Sequence, residues 1–200
     1  MKRQDYLKRL AIKQYGTGNH PKPSLNVFND VQLDEIERIY RQLGGILPKI
    51  PFRFREYDID LKDVIIELDE GEHFNRYRKN TLASPIYQDF RNFDVKNYKK
   101  FCDGYEHKCR RYGGFWGNSS SEKMFDLTTN SEFEDIGAPR WKQRAFYDFI
   151  KDMYSVVSGI PIIRISIYDR YASNTIDGLI ANEDSRKLQE YITMRYQLVH

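Results

Sequence analysis

The sequence predicts a mixed α/β fold, because helical and strand patterns alternate along a chain of 200 residues. Apolar residues recur at helical spacing over residues 30–43 and 140–157. Residues 63–69 and 160–168 are instead short runs rich in branched side chains, which are typical of strands. This length suits one domain with a real core. We therefore expect a single α/β domain over residues 30–200.

The first elements are an arm and a helix. Gly, Asn and two Pro in residues 17–28 predict an extended linker, so residues 1–29 are assigned to an N-terminal arm. The helix over residues 30–43 follows, and Asn29 or Asp30 can accept hydrogen bonds from its free first amides.

A hairpin and a less regular region come next. Residues 52–60 and 63–69 predict two strands, and the two-residue connection between them predicts a tight hairpin. Residues 72–82 predict a helix. Residues 84–139 mix glycine, aromatic and charged residues, which indicates an inserted irregular segment with short helices.

The C-terminal third is easier to interpret. The helix over residues 140–157 ends at Gly159, and the apolar run 160–168 predicts a central strand. A last helix covers residues 183–198. The order is therefore helix, hairpin, helix, insertion, helix, strand and helix.

Composition limits the class of protein. No apolar run approaches the roughly 18 residues of a membrane helix, and the charged N-terminal stretch lacks the apolar core of a signal peptide. Only two cysteines occur, which excludes a disulfide-built secreted fold. We expect a soluble cytoplasmic protein without a membrane partner. The net charge of +3 neither requires nor excludes nucleic acid.

Carboxylates concentrate on the predicted hairpin. If its turn has two residues, Glu56, Asp58, Glu67 and Asp69 share one face of the sheet. A buried carboxylate is costly unless it is paired or binds a metal, and oxygen ligands suit Mg²⁺, with Mn²⁺ as a substitute. The alternative is an edge hairpin whose acids face water.

The order and spacing of these residues carry a resemblance. Tyr57-Asp58-Ile59, then Val64-Ile65-Ile66-Glu67-Leu68-Asp69, then Gly71 and His73, and later Gly159 with Ile160-Pro161-Ile162-Ile163-Arg164-Ile165 match one pattern. The pattern resembles that of the PD-(D/E)xK nuclease superfamily, in particular the branch similar to the very-short-patch-repair endonuclease. The resemblance covers about residues 52–82 and 140–168. It implies a restriction-endonuclease-like core, that is, a mixed central sheet flanked by helices.

The resemblance also implies site residues. Asp58, Glu67 and Asp69 correspond to metal ligands and catalytic residues, and His73 corresponds to a further catalytic residue. Asp60 competes with Asp58 for the place of the first ligand. The implied chemistry is metal-assisted hydrolysis of a phosphodiester by water.

The motif lysine is absent, because Asp69 stands at its position. A cation normally helps to place the attacking water and to stabilise the developing charge. Arg76, Lys79 and Lys142 are candidates for a relocated cation, or His73 for an acid or base in its place.

Basic residues near the acids predict contacts to nucleic-acid phosphates. The predicted contacts are Arg76, Arg78 and Lys79 after the hairpin, and Lys142 and Arg144 at the start of the helix over residues 140–157. The glycine- and aromatic-rich residues 112–117 could form a DNA-facing loop. A solvated surface is the alternative for each basic run.

Zinc is a separate question. Cys102, His107 and Cys109 are ligand types that zinc prefers, but a fourth ligand is not apparent, so we do not predict zinc there.

The function expected from the sequence is Mg²⁺-dependent endonuclease activity on double-stranded DNA, in restriction, repair or phage defence, with a homodimer as a possible assembly. The alternative is a nuclease-like protein that binds nucleic acid or serves as a scaffold without cutting. An RNA-directed nuclease is a third candidate.

Overall fold

A computed structural model describes residues 2–52, 56–88, 90, 93–109, 111, 117–126 and 138–199. The helices are α1 (Arg3–Tyr15), α2 (Asp30–Gln42), α3 (Arg76–Thr81), α4 (Val95–Cys109), α5 (Ser119–Phe125), α6 (Pro139–Ser158), α7 (Ile176–Ala181) and α8 (Ser185–Gln197). The strands are β1 (Ile59–Asp60), β2 (Ile65–Asp69), β3 (Ile162–Ser166), β4 (Arg170–Tyr171) and β5 (Asn174–Thr175). Across the described ranges, no helix combines the length and the apolar character that crossing a membrane requires.

A small mixed sheet lies at the centre of the fold, which confirms the predicted α/β class. Its order is β1-β2-β3, with β1 antiparallel and β3 parallel to β2. Every residue of β2 and β3 is buried. Among the described strands β2 is central, so the prediction of a central strand at residues 160–168 is wrong. Every residue of β3 is nevertheless buried, and a strand that is buried on both faces shows a nearly continuous apolar pattern wherever it lies in the sheet.

The hairpin register differs from the expected one by two residues. Asp60 lies opposite Ile65 rather than Asp63, because four residues connect the strands instead of two. Side chains alternate with a period of two, so an even shift leaves each side chain on its predicted face. Asp58 and Glu67 remain neighbours, and the Asp58 amide donates to Glu67 Oε1 at 3.4 Å.

The first half of the predicted N-terminal arm is part of the folded body. Helix α1 packs against α7 and α8 and buries four side chains, those of Tyr6, Leu7, Leu10 and Ala11. The sequence obscured this helix because most of its other residues are charged or polar. Gly18 then passes beside β1, where a Cβ atom would lie only 2.1 Å from the Leu61 carbonyl oxygen, so a larger residue would displace this segment.

The two long helices used to define the domain are confirmed. Helix α2 is capped by Asn29, whose side chain accepts from the Gln32 amide in a capping box. Helix α6 ends at Gly159, which takes a left-handed conformation with φ of 71°.

The predicted irregular insertion contains a regular helix of 15 residues, α4. It packs against α3 and against the 3-10 turn Gly71–His73. Few residues of α4 are buried, among them Tyr98, Cys102 and Cys109. Lysines lie between them in the sequence, so the spacing of apolar residues did not indicate a helix. The part of the predicted DNA-facing loop at residues 112–116 lies outside the described residues.

Candidate active site

An open cleft of about 370 Å³ lies between the β1–β2 pair and α6. The carboxylates that line it belong to Glu56, Asp58, Glu67, Glu70, Glu72 and Asp148, and its basic side chains to His73, Arg140, Arg144 and Lys151. The cleft therefore combines a surplus of acids with several cations. The acids from the hairpin and the cations from α6 meet because the parallel crossover places α6 beside β2.

The floor of the cleft carries an ion pair between β2 and α6. Lys151 Nζ lies 2.6 Å from Glu67 Oε2, and the Glu67 side chain is only 3% exposed. Burial raises the pKa of Glu67 to about 7, although the nearby ammonium of Lys151 counteracts that rise. Burial opposes the charged form of Lys151, but the carboxylates of Glu67, Asp148 and Asp58 together raise the pKa of the lysine.

Asp58 stands next to this pair just before β1. Its Oδ2 accepts the Leu68 amide at 3.0 Å, and burial raises the pKa of its carboxyl group, against the attraction of Lys151. Asp58 and Glu67 therefore line the same cleft, as the sequence predicted.

Asp60, the competing first ligand, has a different neighbour. Its Oδ1 lies 2.5 Å from His20 Nδ1, and its Oδ2 accepts the His20 amide at 2.9 Å. This carboxylate fastens the segment after α1 onto the hairpin. It does not line the cleft that holds Asp58 and Glu67.

Asp69 is fully buried behind the cleft. Arg164 Nη1 donates to its two oxygens at 2.8 and 3.1 Å, and the Tyr98 hydroxyl also donates to Oδ2. Both carboxylate oxygens are thus bound by groups of the protein. The predicted metal ligand Asp69 has its charge balanced first by an arginine on β3.

His73 connects Asp69 to the cleft. Its Nδ1 lies 2.8 Å from Asp148 Oδ2 and 3.1 Å from Asp69 Oδ1. Ligand atoms of these three residues lie within 4.8 Å of one another, close enough to hold a metal ion. Burial opposes the charge of Asp148, yet the attraction of His73 and Arg164 holds the pKa of that carboxyl group well below its ordinary value. His73 also lines the cleft.

A second aspartate of α6 completes a sealed network. Asp152 accepts from Arg164 Nε at 2.7 Å, from Arg78 Nη2 at 2.7 Å and from the Tyr87 hydroxyl at 2.6 Å. Arg78 is fully buried, and its guanidinium also faces the Tyr98 ring. The prediction that Arg78 binds nucleic acid is therefore wrong, because its charge is enclosed and balanced inside the core.

The other predicted phosphate contacts divide into two groups. Lys142, the predicted phosphate contact and candidate for the relocated cation, is 7% exposed, packs over the Tyr77 ring, and has its pKa lowered by burial. Arg76 and Lys79 remain partly exposed but pair with Glu106 and Asp103 of α4. None of these three residues lines the cleft.

Arg144 is the predicted phosphate contact that the fold brings to the site. It lines the cleft and pairs with Glu72 at 2.6 Å, with 22% of its side chain exposed.

The cysteines lie away from the cleft lining. Cys102 and Cys109 are buried free thiols, and burial raises the pKa of each to about 12. Cys109 contacts the Glu72 carbonyl and the Asn75 amide, whereas His107 is exposed.

Three polar residues of α6 were not predicted from the sequence. Asp148, Lys151 and Asp152 all lie on the face that α6 turns toward β2 and β3. The available signal was their spacing of three and four residues, which places them on one side of a helix. The apolar stripe of α6 dominated its sequence pattern and concealed this polar one.

Comparison with known proteins gives one finding. A family model described as "Family of unknown function (DUF7255)" matches residues 38–182, well over half of the chain. The chain belongs to the DUF7255 family. Searches of curated proteins and of solved structures found no match. The range shared with DUF7255 contains Asp58, Glu67, Lys151 and Arg164, and therefore both the cleft floor and the sealed network.

Proposed function

We propose that this protein hydrolyses phosphodiester bonds in DNA with the help of Mg²⁺. The observation that carries the proposal is the arrangement of Asp58, Glu67 and Lys151, two carboxylates and an ammonium group gathered on the floor of one open cleft. Hydrolysis of a phosphodiester requires positive charge near the phosphate and a means to activate water, and this arrangement is suited to both.

The residues fit a hard divalent cation. Carboxylate oxygens are the ligands that Mg²⁺ prefers, and Asp58 and Glu67 would hold the ion. Burial raises the pKa of both carboxyl groups, so a bound cation would stabilise the ionised form of each. A bound Mg²⁺ would lower the pKa of a water ligand and offset the charge of the phosphate.

Lys151 can supply the cation that the sequence motif lacks. Its ammonium group approaches Glu67 from α6, whereas the motif would place a lysine on β2 where Asp69 stands. We infer that Lys151 orients Glu67 and adds positive charge beside the scissile phosphate.

His73 is suited to proton transfer. Its Nδ1 is engaged by Asp148 and Asp69, which leaves Nε2 to exchange a proton in the cleft that the ring lines. Arg144 would contact a phosphate next to the one that is cut.

The topology supports the same proposal. A mixed sheet flanked by helices, with the acidic strand β2 beside the arginine-bearing strand β3, agrees with the core that the sequence resemblance implies. Cleavage of duplex DNA by a homodimer stays a prediction from the sequence.

A plasmid-nicking assay tests the proposal, with Mg²⁺, Mn²⁺ or EDTA in parallel. We expect nicking with either metal and none with EDTA, and a loss of at least about a hundredfold in Glu67→Gln. Glu37→Gln is the matched control, because Glu37 is exposed on α2 and pairs only with Arg41 among its described ion-pair partners. The same assay on RNA identifies the preferred nucleic acid.

The other outcomes are equally informative. Metal-independent binding without cleavage under any divalent ion would favour a nuclease-like binding protein. A Glu67→Gln variant that cuts at the wild-type rate would overturn the proposed site.

A further inference from the structure

A second cavity of about 470 Å³, here called the side cavity, adjoins the cleft. It lies between α5, α6 and the segment after α2, and its walls include Leu47, Pro51 and Met124. Ser120 and Tyr147 line both the side cavity and the cleft. A molecule bound over Asp58 and Glu67 can therefore extend across Tyr147 into the side cavity.

The walls of the side cavity suit a flat ring with polar edges. Leu47, Pro51 and the Tyr147 ring provide apolar surface. The polar groups are the hydroxyls of Ser119 and Ser120, and the basic side chain among the described lining residues is that of Lys123. Apolar contact with few polar groups is the usual composition of a site for a small ring system. A nucleobase has this combination of an apolar face and hydrogen-bonding edges.

Tyr147 is held in place before any ligand arrives. Its hydroxyl lies 3.4 Å from Met124 Sδ, and its ring centroid lies 6.0 Å from that of Phe146. A ring that is already ordered loses little conformational entropy when a base stacks on it.

We propose that the side cavity binds an unpaired nucleobase next to the scissile phosphate, so that the preferred substrate is single-stranded DNA. The proposal rests on the proposed hydrolysis in the cleft, names its substrate more closely, and replaces the duplex substrate that the sequence predicts with a single strand. A base in a duplex is stacked and paired, and it would have to leave the stack to enter the side cavity. In a single strand that cost is small. The nearly buried position of Glu67 likewise favours a flexible strand that can reach the cleft floor.

Fluorescence anisotropy with labelled oligonucleotides of about a dozen nucleotides tests this proposal, with Ca²⁺ in place of Mg²⁺ to prevent cutting. The probes are a single DNA strand, the same strand without bases, the duplex and the equivalent RNA. We expect the single DNA strand to bind best. Tyr147→Ala should weaken its binding about tenfold and leave the abasic strand unaffected, because only stacking is lost. Tyr147→Phe keeps the ring and loses the hydroxyl that contacts Met124, so it should bind within about twofold of wild type.

A second variant covers the case in which Tyr147→Ala fails to fold. Lys123 is exposed, so Lys123→Ala is expected to fold, and it should reduce the salt dependence of binding to the single strand by about one charge.

Several results would overturn the proposal. They are equal binding of duplex and single strand, an equal loss on the abasic strand, preference for RNA over DNA, and unchanged binding by both variants. Cleavage is scored separately with Mg²⁺. Base-dependent binding without cleavage would support the base site and refute the proposed hydrolysis. Cleavage at the same rate in wild type and Tyr147→Ala, with equal binding of the abasic strand, would support the hydrolysis and refute the base site.

Discussion

Glu67 and Asp69 lie two residues apart on β2 and project to the same side of the sheet, but their surroundings differ. Glu67 lines the open cleft, where its charge is paired with one lysine of α6. Asp69 is sealed behind the cleft, where Arg164 and Tyr98 bind both of its oxygens. An acidic pair in the sequence is thus divided into a group that can meet a ligand and a group that holds the core together.

In the sealed network, each buried charge lies next to a charge of opposite sign. Arg78 and Arg164 are both fully buried and face Asp69, Asp148 and Asp152. A charge removed from such a network leaves its partners without compensation, whereas a charge removed from the cleft exposes a group to water or ligand. The two regions should therefore respond to mutation in opposite ways, one in stability and the other in activity.

The largest effect is expected in the sealed network. Asp152→Ala removes the partner that Arg78 and Arg164 share, and we expect a loss of about 3–5 kcal/mol in the free energy of unfolding. Urea denaturation measures it. Asp103→Ala is the matched control, since its pair with Lys79 is exposed, and we expect a loss below about 1 kcal/mol. Similar losses in the two variants would contradict the comparison.

The next effect is expected in the cleft, on activity. Lys151→Met should lower the cleavage rate by about a hundredfold or more, because it removes the positive charge that we propose to lie next to the reacting phosphate. Thermal unfolding should change less than in Asp152→Ala, since Glu67 can take up a proton once its partner is gone. Lys79→Met is the control for a lysine outside the cleft. An Lys151→Met variant with full activity would exclude the lysine from the mechanism.

Asp148 lines the cleft and also faces Arg164 of the sealed network, and we expect it to affect how stability depends on pH. The pKa of Asp148 lies well below its ordinary value of 3.8, so its ionised form stabilises the fold above about that pH. This contribution is lost as the pH falls below the ordinary value toward the lower folded pKa. Asp148→Asn should therefore show a shallower decline of unfolding free energy between pH 5 and pH 3 than wild type does. Parallel declines would show that Asp148 carries no such stabilisation.

The smallest effect is expected at the rim of the cleft. Arg144→Gln should weaken DNA binding a few-fold and lower the salt dependence by about one charge, because in the proposed complex the residue would contact only a backbone phosphate. Titrations at several salt concentrations measure this. Arg76→Gln, outside the cleft and paired with Glu106, should leave binding unchanged.

Much of the site could be predicted from the hairpin sequence alone. The alternation of side chains places Asp58 and Glu67 on one face, and even the two-residue error in register preserves that placement, because it is a whole period. The absence of Asp60 from the cleft lining could not be predicted, because it depends on a tertiary contact: the segment after α1 places His20 against the hairpin, where it binds the Asp60 carboxylate.

Local pattern determined the α/β class, the caps of α2 and α6 and the clustering of acids on the hairpin, because all of these depend on residues that are near each other in sequence. Tertiary structure alone decided which charges face the cleft. Lys151 lies 84 residues from Glu67, and Arg164 lies 95 residues from Asp69, so no local pattern specifies these pairs. They form because the parallel crossover lays α6 and β3 against β2, and burial then requires each enclosed charge to find a partner.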